Sequence, residues 1–362
     1  MRPAAAGSLR ADVTDEGTRP IVLQATGSLV AIAILIAAGV VASRRGLLGE
    51  RAVDGLKALI VNLTLPVLLF RAFLQLEPDG SNAVLALAVF AACAVMGAVG
   101  ALLSRTMRLP RPETRLLFQG FEAGMLGYAL FASLYAADRL PAFAALDMGQ
   151  VIYVFTVLFV QMSLLEQRRV RELALAARVG EDLVGQGEAP GRETTQAVHD
   201  GGPVAFPWRD LVASKVLWAI FGGLAISLVA PGAAANLAGP DGVAAPVFDT
   251  IGGLTTPLVC LVIGASLAGG IPRDPAIMKI VALRTAVGLG LGLVFGLLIV
   301  PALGFSEWHT RAAIMLFVLP APFVIPVYYR RSAAFVGSVL TLSTAVSIVL
   351  ISVIAVLGAA GP

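Results

Sequence analysis

Residues 113–136 read ETRLLFQGFEAGMLGYALFASLYA, an apolar stretch that is long enough to cross a bilayer. Three glycines, Gly120, Gly124 and Gly127, interrupt this stretch, and one carboxylate, Glu122, lies among them. A charged side chain at the centre of a membrane helix costs ~2.5–3.5 kcal/mol on insertion scales, so it is usually retained for a function. Glycines allow the backbone to open or a second helix to come close. The stretch therefore predicts a discontinuous membrane helix with an ionisable side chain beside the break.

The composition is that of an all-α integral membrane protein. Hydrophobic residues make up 58% of the chain and charged residues only 14%, whereas a soluble domain has about 25% charged residues. The mean hydropathy is +0.87. The two cysteines, Cys93 and Cys260, lie in apolar runs and are predicted to be buried thiols. No phosphate loop, nucleophile elbow or metal-ligand spacing is present, so neither an enzyme, a cofactor, a metal site nor a nucleic-acid partner is expected.

Ten apolar stretches have the length that a membrane-spanning helix needs. They are roughly 21–43, 52–74, 82–104, 115–135, 144–166, 211–230, 244–269, 276–300, 311–329 and 335–358. Residues 1–20 are polar and are predicted to form a disordered external tail. A polar connection at 167–210 separates a first set of five spans, 21–166, from a second set, 211–358.

Arginines concentrate in alternate connections, which indicates the orientation of the chain. These arginines are Arg44, Arg45, Arg51, Arg105, Arg108, Arg111, Arg168, Arg169, Arg171, Arg178, Arg273, Arg330 and Arg331. The intervening connections are poor in basic residues, and 231–243 has none. The positive-inside rule then places the central connection in the cytoplasm and both termini outside the inner membrane.

The two halves of the chain repeat one another. Residues 62–70 read NLTLPVLLF and residues 253–261 read GLTTPLVCL, so that Pro66 and Pro257 are separated by 191 positions. Adding 191 to each early span gives a later span. Because five is an odd number, the second half crosses the membrane in the opposite sense. This pattern predicts an inverted-topology repeat, an architecture that is common in secondary transporters.

The ninth span is also predicted to be broken. Residues 317–329 read FVLPAPFVIPVYY, and prolines two residues apart cannot both sit in a regular helix without freeing carbonyls. In lipid, freed carbonyls must face protein or a watery cavity. The offset of 191 pairs Ala129 with Pro320. We therefore expect the backbone to be non-helical near Gly124–Gly127 and near Pro320–Pro322, and the two breaks to meet near mid-membrane.

At this point the chain resembles the auxin efflux carrier family, which includes bacterial malonate-type carriers and plant auxin exporters. The similar runs are LTLPVLLF, the glycine-rich fourth span, LTTPLVCLVIGASL and LSTAVSIVLISVIAVL, and they extend over about residues 21–358. The resemblance implies ten helices in a 5+5 inverted repeat, with spans one, two, six and seven as a scaffold. It also implies that broken helices four and nine cross where an organic anion binds. Glu122 and Ala123 stand where the family commonly has an Asn-Thr pair.

Arg284 is a candidate partner for Glu122. At 1.5 Å per residue, Glu122 lies ~10 Å into span four and Arg284 ~12 Å into span eight, both from the cytoplasmic side. A buried ion pair at this depth would neutralise both charges. The complete set of candidate substrate- or ion-binding residues is Glu122, Ala123, Gly124, Gly127, Arg284, Pro320, Ala321, Pro322, Asn62, Thr64, Thr255 and Gln150.

These features together predict a secondary transporter of the inner membrane that carries a small organic solute, in the first instance a carboxylate, with protons as the coupling ion if Glu122 titrates. Two alternatives stay open. One is a cation–proton exchanger or sodium-coupled symporter of similar design, in which Glu122 binds the cation. The other is a membrane sensor that does not transport. Substrate, direction, coupling ion and oligomeric state stay open at this point, with a homodimer among the options.

Overall fold

The computed structural model describes residues 15–76, 80–135, 137–184, 215–239, 242–270, 273–329 and 332–359, and every regular element in these ranges is a helix. In chain order the helices are α1 (Asp15–Arg44), α2 (Glu50–Leu59), α3 (Leu65–Leu74), α4 (Gly80–Thr106), α5 (Arg111–Leu117), α6 (Tyr128–Tyr135), α7 (Leu140–Tyr153), α8 (Phe159–Val184), α9 (Lys215–Val229), α10 (Pro231–Ala238), α11 (Ala245–Gly253), α12 (Thr255–Leu267), α13 (Pro275–Val294), α14 (Val300–Ala302), α15 (Glu307–Val318), α16 (Ile325–Tyr328) and α17 (Ala333–Ala359). Wide π-type turns join several of them, at Ile60–Thr64, Ala123–Gly127, Val154–Leu158 and Phe295–Ile299.

The predicted polar segments lie partly outside the described residues. Residues 1–14 of the tail and 185–210 of the central connection belong to that part of the chain. Helix α1 already begins at Asp15, so residues 15–20, which the sequence assigns to the tail, are its first turns. Helix α8 continues past span five as far as Val184.

Six helical stretches in the described ranges are long and apolar enough to cross a membrane. They are Glu50–Leu74, Gly80–Thr106, Leu140–Arg169, Ala245–Leu267, Pro275–Ala302 and Ala334–Leu357. Shorter apolar helices lie at Val30–Arg44, Ala123–Tyr135 and Lys215–Val229. Spans four and nine do not reach full length because their helices are interrupted, and span six is described only from Lys215 onward.

Two of the π-type turns come two residues before a proline. Ile60–Thr64 precedes Pro66, and Phe295–Ile299 precedes Pro301. A proline lacks the backbone N–H, and its ring collides with the carbonyl four residues earlier in a regular helix. The wider turn moves this carbonyl away from the ring, so both helices continue through the proline instead of ending there.

The helices form two sets by their contacts. In the first set, α1 packs on α12, and α3 packs on α9 and α11. In the second set, α4 packs on α7, α13 packs on α15 and α17, and α7 also packs on α15. A hydrogen bond from Thr256 Oγ1 on α12 to the Ala129 carbonyl on α6, 3.0 Å long, joins the two sets. We call α1–α3 with α9–α12 the first set and α4–α8 with α13–α17 the second set.

The second set is held together by close backbone approach. An ideal Cβ on Gly288 of α13 would lie 2.3 Å from the Phe317 carbonyl oxygen of α15. A Cβ on Gly290, two residues further along the same helix, would meet no atom within 4 Å. Small residues are the usual means by which membrane helices approach closely. The α13–α15 contact therefore depends on a glycine at position 288 and not at position 290.

These two glycines give a matched test of the packing. We expect Gly288→Ala to lower the free energy of unfolding by ~1–3 kcal/mol, because a backbone oxygen cannot rotate away from the added methyl group. Gly290→Ala is expected to be neutral or to stabilise by ~0.5–1 kcal/mol, since alanine is the better helix former. Thermal unfolding of both variants in detergent measures the difference, and equal midpoints would contradict the close α13–α15 contact.

Candidate functional site

Two non-helical breaks, one in span four and one in span nine, form the centre of the site. Helix α5 ends at Leu117, and the chain is non-helical over 118–122 before it resumes as the turn Ala123–Gly127. In span nine the chain is non-helical over 319–324, between α15 and α16. Span nine thus breaks at its prolines, as the sequence predicts.

The span-four break lies earlier than the sequence predicts. Gly124 and Gly127 are within the π-type turn, which is helical, so the expectation of a non-helical backbone there is wrong. The break instead contains Gly120, whose φ of +67° is in the left-handed region that glycine adopts without strain. Subtracting 191 from 319–324 gives 128–133, which lie in α6, so the repeat offset does not relate the two breaks.

The two breaks are hydrogen-bonded to each other through Glu122. Its backbone N–H donates to the Pro320 carbonyl at 2.8 Å. Its carboxylate accepts the Phe323 N–H at 2.6 Å and the Met125 N–H at 3.1 Å. Glu122 therefore satisfies backbone amides that the breaks leave without helical partners, one from each span. The side chain is buried, with 8% of its surface exposed.

Arg284 satisfies three carbonyls at the two breaks. From α13 its guanidinium donates to the Leu117 carbonyl, to the Gly120 carbonyl at 2.8 Å and to the Leu319 carbonyl at 3.3 Å. The candidate ion pair with Glu122 is not formed, since none of the ion pairs among the described residues joins these two side chains. The five donors of a guanidinium suit several carbonyls at once, and the breaks provide such carbonyls. Arg284 is 2% exposed, and its hydrogen bonds connect the break in span four to the break in span nine.

A second buried carboxylate, Asp147 of α7, lies at the same site. It is 2% exposed and accepts the Tyr128 hydroxyl and the Gln150 amide, each at 3.0 Å. Gln150 in turn accepts the Phe121 N–H of the span-four break at 3.1 Å. The sequence analysis missed Asp147, although the criterion that singled out Glu122, a carboxylate within an apolar span, applies to it equally.

A cavity of about 690 Å³ opens beside the contact between the breaks. Glu122, Gly124, Asp147, Gln150 and Pro322 line it together with a mostly apolar wall. The other candidate residues do not line this cavity: Ala123, Gly127, Arg284, Pro320, Ala321, Asn62, Thr64 and Thr255. A volume of this size is in the usual range for sites that bind small organic molecules.

The candidates outside the cavity have other surroundings. Asn62 is exposed and donates to the Ala58 carbonyl of its own helix at 2.8 Å. Thr64 and Thr255, which the repeat offset relates, are both fully buried. Within the described residues neither hydroxyl has a hydrogen-bond partner. Pro320 and Ala321 belong to the span-nine break and Ala123 is the first residue of the turn after the span-four break, but none of the three lines the cavity.

The cavity extends from the breaks to one end of the helices. There it is lined by Lys57 in the last turn of α2, Val216 of α9, Leu267 at the end of α12 and Tyr328 of α16. Tyr328 comes two residues before Arg330, and Lys57 and Leu267 are each six residues from an arginine of these connections, Arg51 and Arg273. Lys57 is half exposed and lies 3.5 Å from Asp54.

Helices of membrane-spanning length, two of them interrupted beside a ligand-sized cavity, are typical of multi-pass membrane proteins. A model of the membrane transport protein family, which is the auxin efflux carrier family, matches residues 24–355, so the chain belongs to this family of membrane transporters. The members of this family are transporters and not enzymes. A sequence comparison with curated proteins found no match.

Proposed function

We propose that this protein is a secondary transporter that moves a small organic solute through the cavity at the contact between the two breaks. The observation that supports this most is the cavity itself, which is large enough for a ligand. Its mostly apolar wall includes two buried carboxylates, Glu122 and Asp147. Ionisable residues inside a membrane bundle commonly mark solute and ion pathways. The architecture that we propose is the ten-helix 5+5 inverted repeat, with helices four and nine crossing at their breaks.

The two helix sets suggest how the solute moves. We propose that the first set is the scaffold and that the second set, which carries both breaks, moves against it by a rocking or elevator motion. The bonds within each set support this division. Arg71 pairs with Asp249 inside the first set, and Glu113 accepts the Tyr329 hydroxyl at 3.1 Å and the Ser332 hydroxyl at 2.6 Å inside the second.

The driving force in this proposal is an ion gradient, with protons as the coupling ion and Glu122 as the group that carries them. Sodium is the alternative coupling ion. The sequence has no nucleotide-binding motif that would supply ATP chemistry. We likewise propose that the protein forms a homodimer.

An organic carboxylate, which the family resemblance implies, is not the substrate that this cavity favours. Lys57 is the one Lys, Arg or His among the described residues of its wall, whereas two carboxylates lie at its inner end. An ionised Glu122 repels an anion placed beside it. The cation-carrying alternative agrees better with these charges, and the size of the cavity favours an organic solute over a bare ion.

Reconstitution into liposomes tests the proposed function. Purified protein is expected to drive gradient-dependent accumulation of a labelled solute that protein-free vesicles do not accumulate. Candidate solutes come from a thermal-shift screen of carboxylates, amines and metal cations, because a ligand that binds only the folded state raises its stability. Ligands that stabilise the protein but are never moved across the vesicle membrane would contradict transport and support a sensor.

The proposed orientation has its own test. We expect a cysteine at position 194 to react with an impermeant maleimide only from the cytoplasmic side, and a cysteine at position 236 only from outside. The reason is the arginine asymmetry of the connections. Thr194→Cys and Asn236→Cys are made after Cys93 and Cys260 have been replaced by alanine. Labelling on the reversed sides would overturn the external termini and the cytoplasmic opening of the cavity.

A further inference from the structure

The cavity contains two buried acidic side chains that have no cationic partner. Glu122 is 8% exposed and Asp147 is 2% exposed, and neither forms an ion pair with a Lys, Arg or His among the described residues. Lys57, the cation of the cavity wall, is half exposed at the mouth and lies beside Asp54. Buried charges are normally paired, because an uncompensated charge in an apolar environment is costly.

The backbone donors that would receive an anion at the breaks are already occupied. The Phe323 and Met125 N–H groups both donate to the Glu122 carboxylate. The guanidinium of Arg284 lies outside the cavity wall, and its terminal nitrogens donate to backbone carbonyls. A solute carboxylate at this position would have to displace Glu122 from its two amides and remain beside Asp147. The protein's own carboxylate thus fills the anion position.

Five aromatic side chains form part of the cavity wall between the breaks and the outer end. They are Phe121, Phe155, Phe159, Phe323 and Tyr328. Aromatic faces attract a cation placed within about 6 Å of the ring centroid, and they also bury the apolar body of a ligand. Two carboxylates at one end, with aromatic rings in an otherwise mainly aliphatic wall, match a solute with a positive head and an apolar body.

We infer that the cavity binds an organic cation, a protonated or quaternary amine with an apolar body, whose charged head lies between Glu122 and Asp147. This inference rests on the proposed function, because it names the substrate class of the same site. Gln150 positions one of the two counter-charges, since its amide donates to Asp147 while its oxygen accepts the Phe121 N–H of the break.

The test uses the full-length purified protein and two series of probes. Within each series the apolar body is the same and only the polar head differs. Phenethylammonium and naphthylmethylammonium are compared with the corresponding alcohols and with hydrocinnamate and naphthylacetate as carboxylates. We expect the ammonium probes to raise the melting temperature in a concentration-dependent manner, and the alcohols and carboxylates to leave it unchanged. Equal shifts for ammonium and alcohol, a shift for the carboxylates alone, or no shift with either ammonium probe would each overturn the inference.

Variants locate the binding of the ammonium probes. Glu122→Gln and Asp147→Asn are expected to weaken it by about tenfold or more, which corresponds to ~1.4 kcal/mol. The control, Glu50→Gln, changes an exposed carboxylate at the start of α2 and should keep the wild-type affinity. The melting temperature without probe shows whether each variant folds. Wild-type affinity in a folded Glu122→Gln and a folded Asp147→Asn protein would place the ammonium elsewhere.

Liposome flux separates this inference from the proposed function. An ammonium probe that binds with the expected dependence on Glu122 and Asp147 but is not moved supports the cation site and contradicts transport. A carboxylate that is moved while no ammonium probe binds supports transport and contradicts the cation site.

Discussion

Arg284→Met is expected to unfold the centre of the protein and to produce the largest loss of stability of any single change at the site. Arg284 donates to the carbonyls of Leu117, Gly120 and Leu319, which the two breaks free from helical hydrogen bonding. A buried polar group left without a partner costs ~1–3 kcal/mol, so three of them cost about 3 kcal/mol or more. Removing the desolvated charge of Arg284 offsets part of this loss.

The thermal unfolding midpoint of Arg284→Met in detergent measures this effect. The matched control is Arg105→Met, which removes the same group from an exposed position in α4. Arg284→Lys is expected to be intermediate, since an ammonium has three donors but lacks the planar fork that reaches several carbonyls. If Glu122→Gln in the same chain rescued Arg284→Met, the two charges would be a pair after all, and the role assigned to Arg284 would be wrong.

Glu122→Gln is expected to abolish solute transport while most of the protein stays folded. The change keeps the size of the side chain but removes its charge and its ability to bind and release a proton. It also replaces one carboxylate oxygen by an amide nitrogen, so one of the bonds from Phe323 and Met125 is lost, at a cost of ~0.5–1.5 kcal/mol. This cost is small compared with that expected for Arg284→Met.

Initial rates of solute uptake into liposomes under an imposed proton gradient measure the effect of Glu122→Gln. Glu50→Gln is the control, since it removes an exposed carboxylate that does not line the cavity. Wild-type uptake and wild-type dependence on the gradient in folded Glu122→Gln protein would remove Glu122 from the mechanism. Loss of uptake together with loss of folding, in contrast, would show that its two amide bonds matter more than its charge.

The break in span nine could be predicted because two prolines only two residues apart both remove backbone donors from the same turn of a helix. Pro320 and Pro322 lack the backbone donor wherever the rest of the chain lies, and residues 319–324 are non-helical. Glycine has no such effect, since it permits several conformations. Gly120 takes the positive φ that opens span four, whereas Gly127 is small because a Cβ there would lie 2.7 Å from the Phe143 ring.

The partner of Arg284 could not be predicted from depth alone. The estimate of similar depth for Glu122 and Arg284 located both near the breaks, but a side chain bonds to whichever acceptors are freed there. These acceptors depend on the position of the span-four break, and that position depends on Gly120. Asp147 could have been predicted from the sequence, because its carboxylate lies in the apolar span 144–166, where residues 146–153 read LDMGQVIY.

The central proposal is that the cavity faces each side of the membrane in turn, and the accessibility of a cysteine at Val151 tests this most directly. Val151 lines the cavity on α7, next to Gln150. The variant Val151→Cys, made without the native cysteines, is reconstituted into liposomes in one orientation. At rest we expect the new cysteine to react with an impermeant maleimide from the side of the arginine-rich connections. Once solute and gradient drive turnover, we expect it to react from the opposite side as well. Reaction from a single side under every condition would contradict alternating access and with it the assignment as a transporter of this solute.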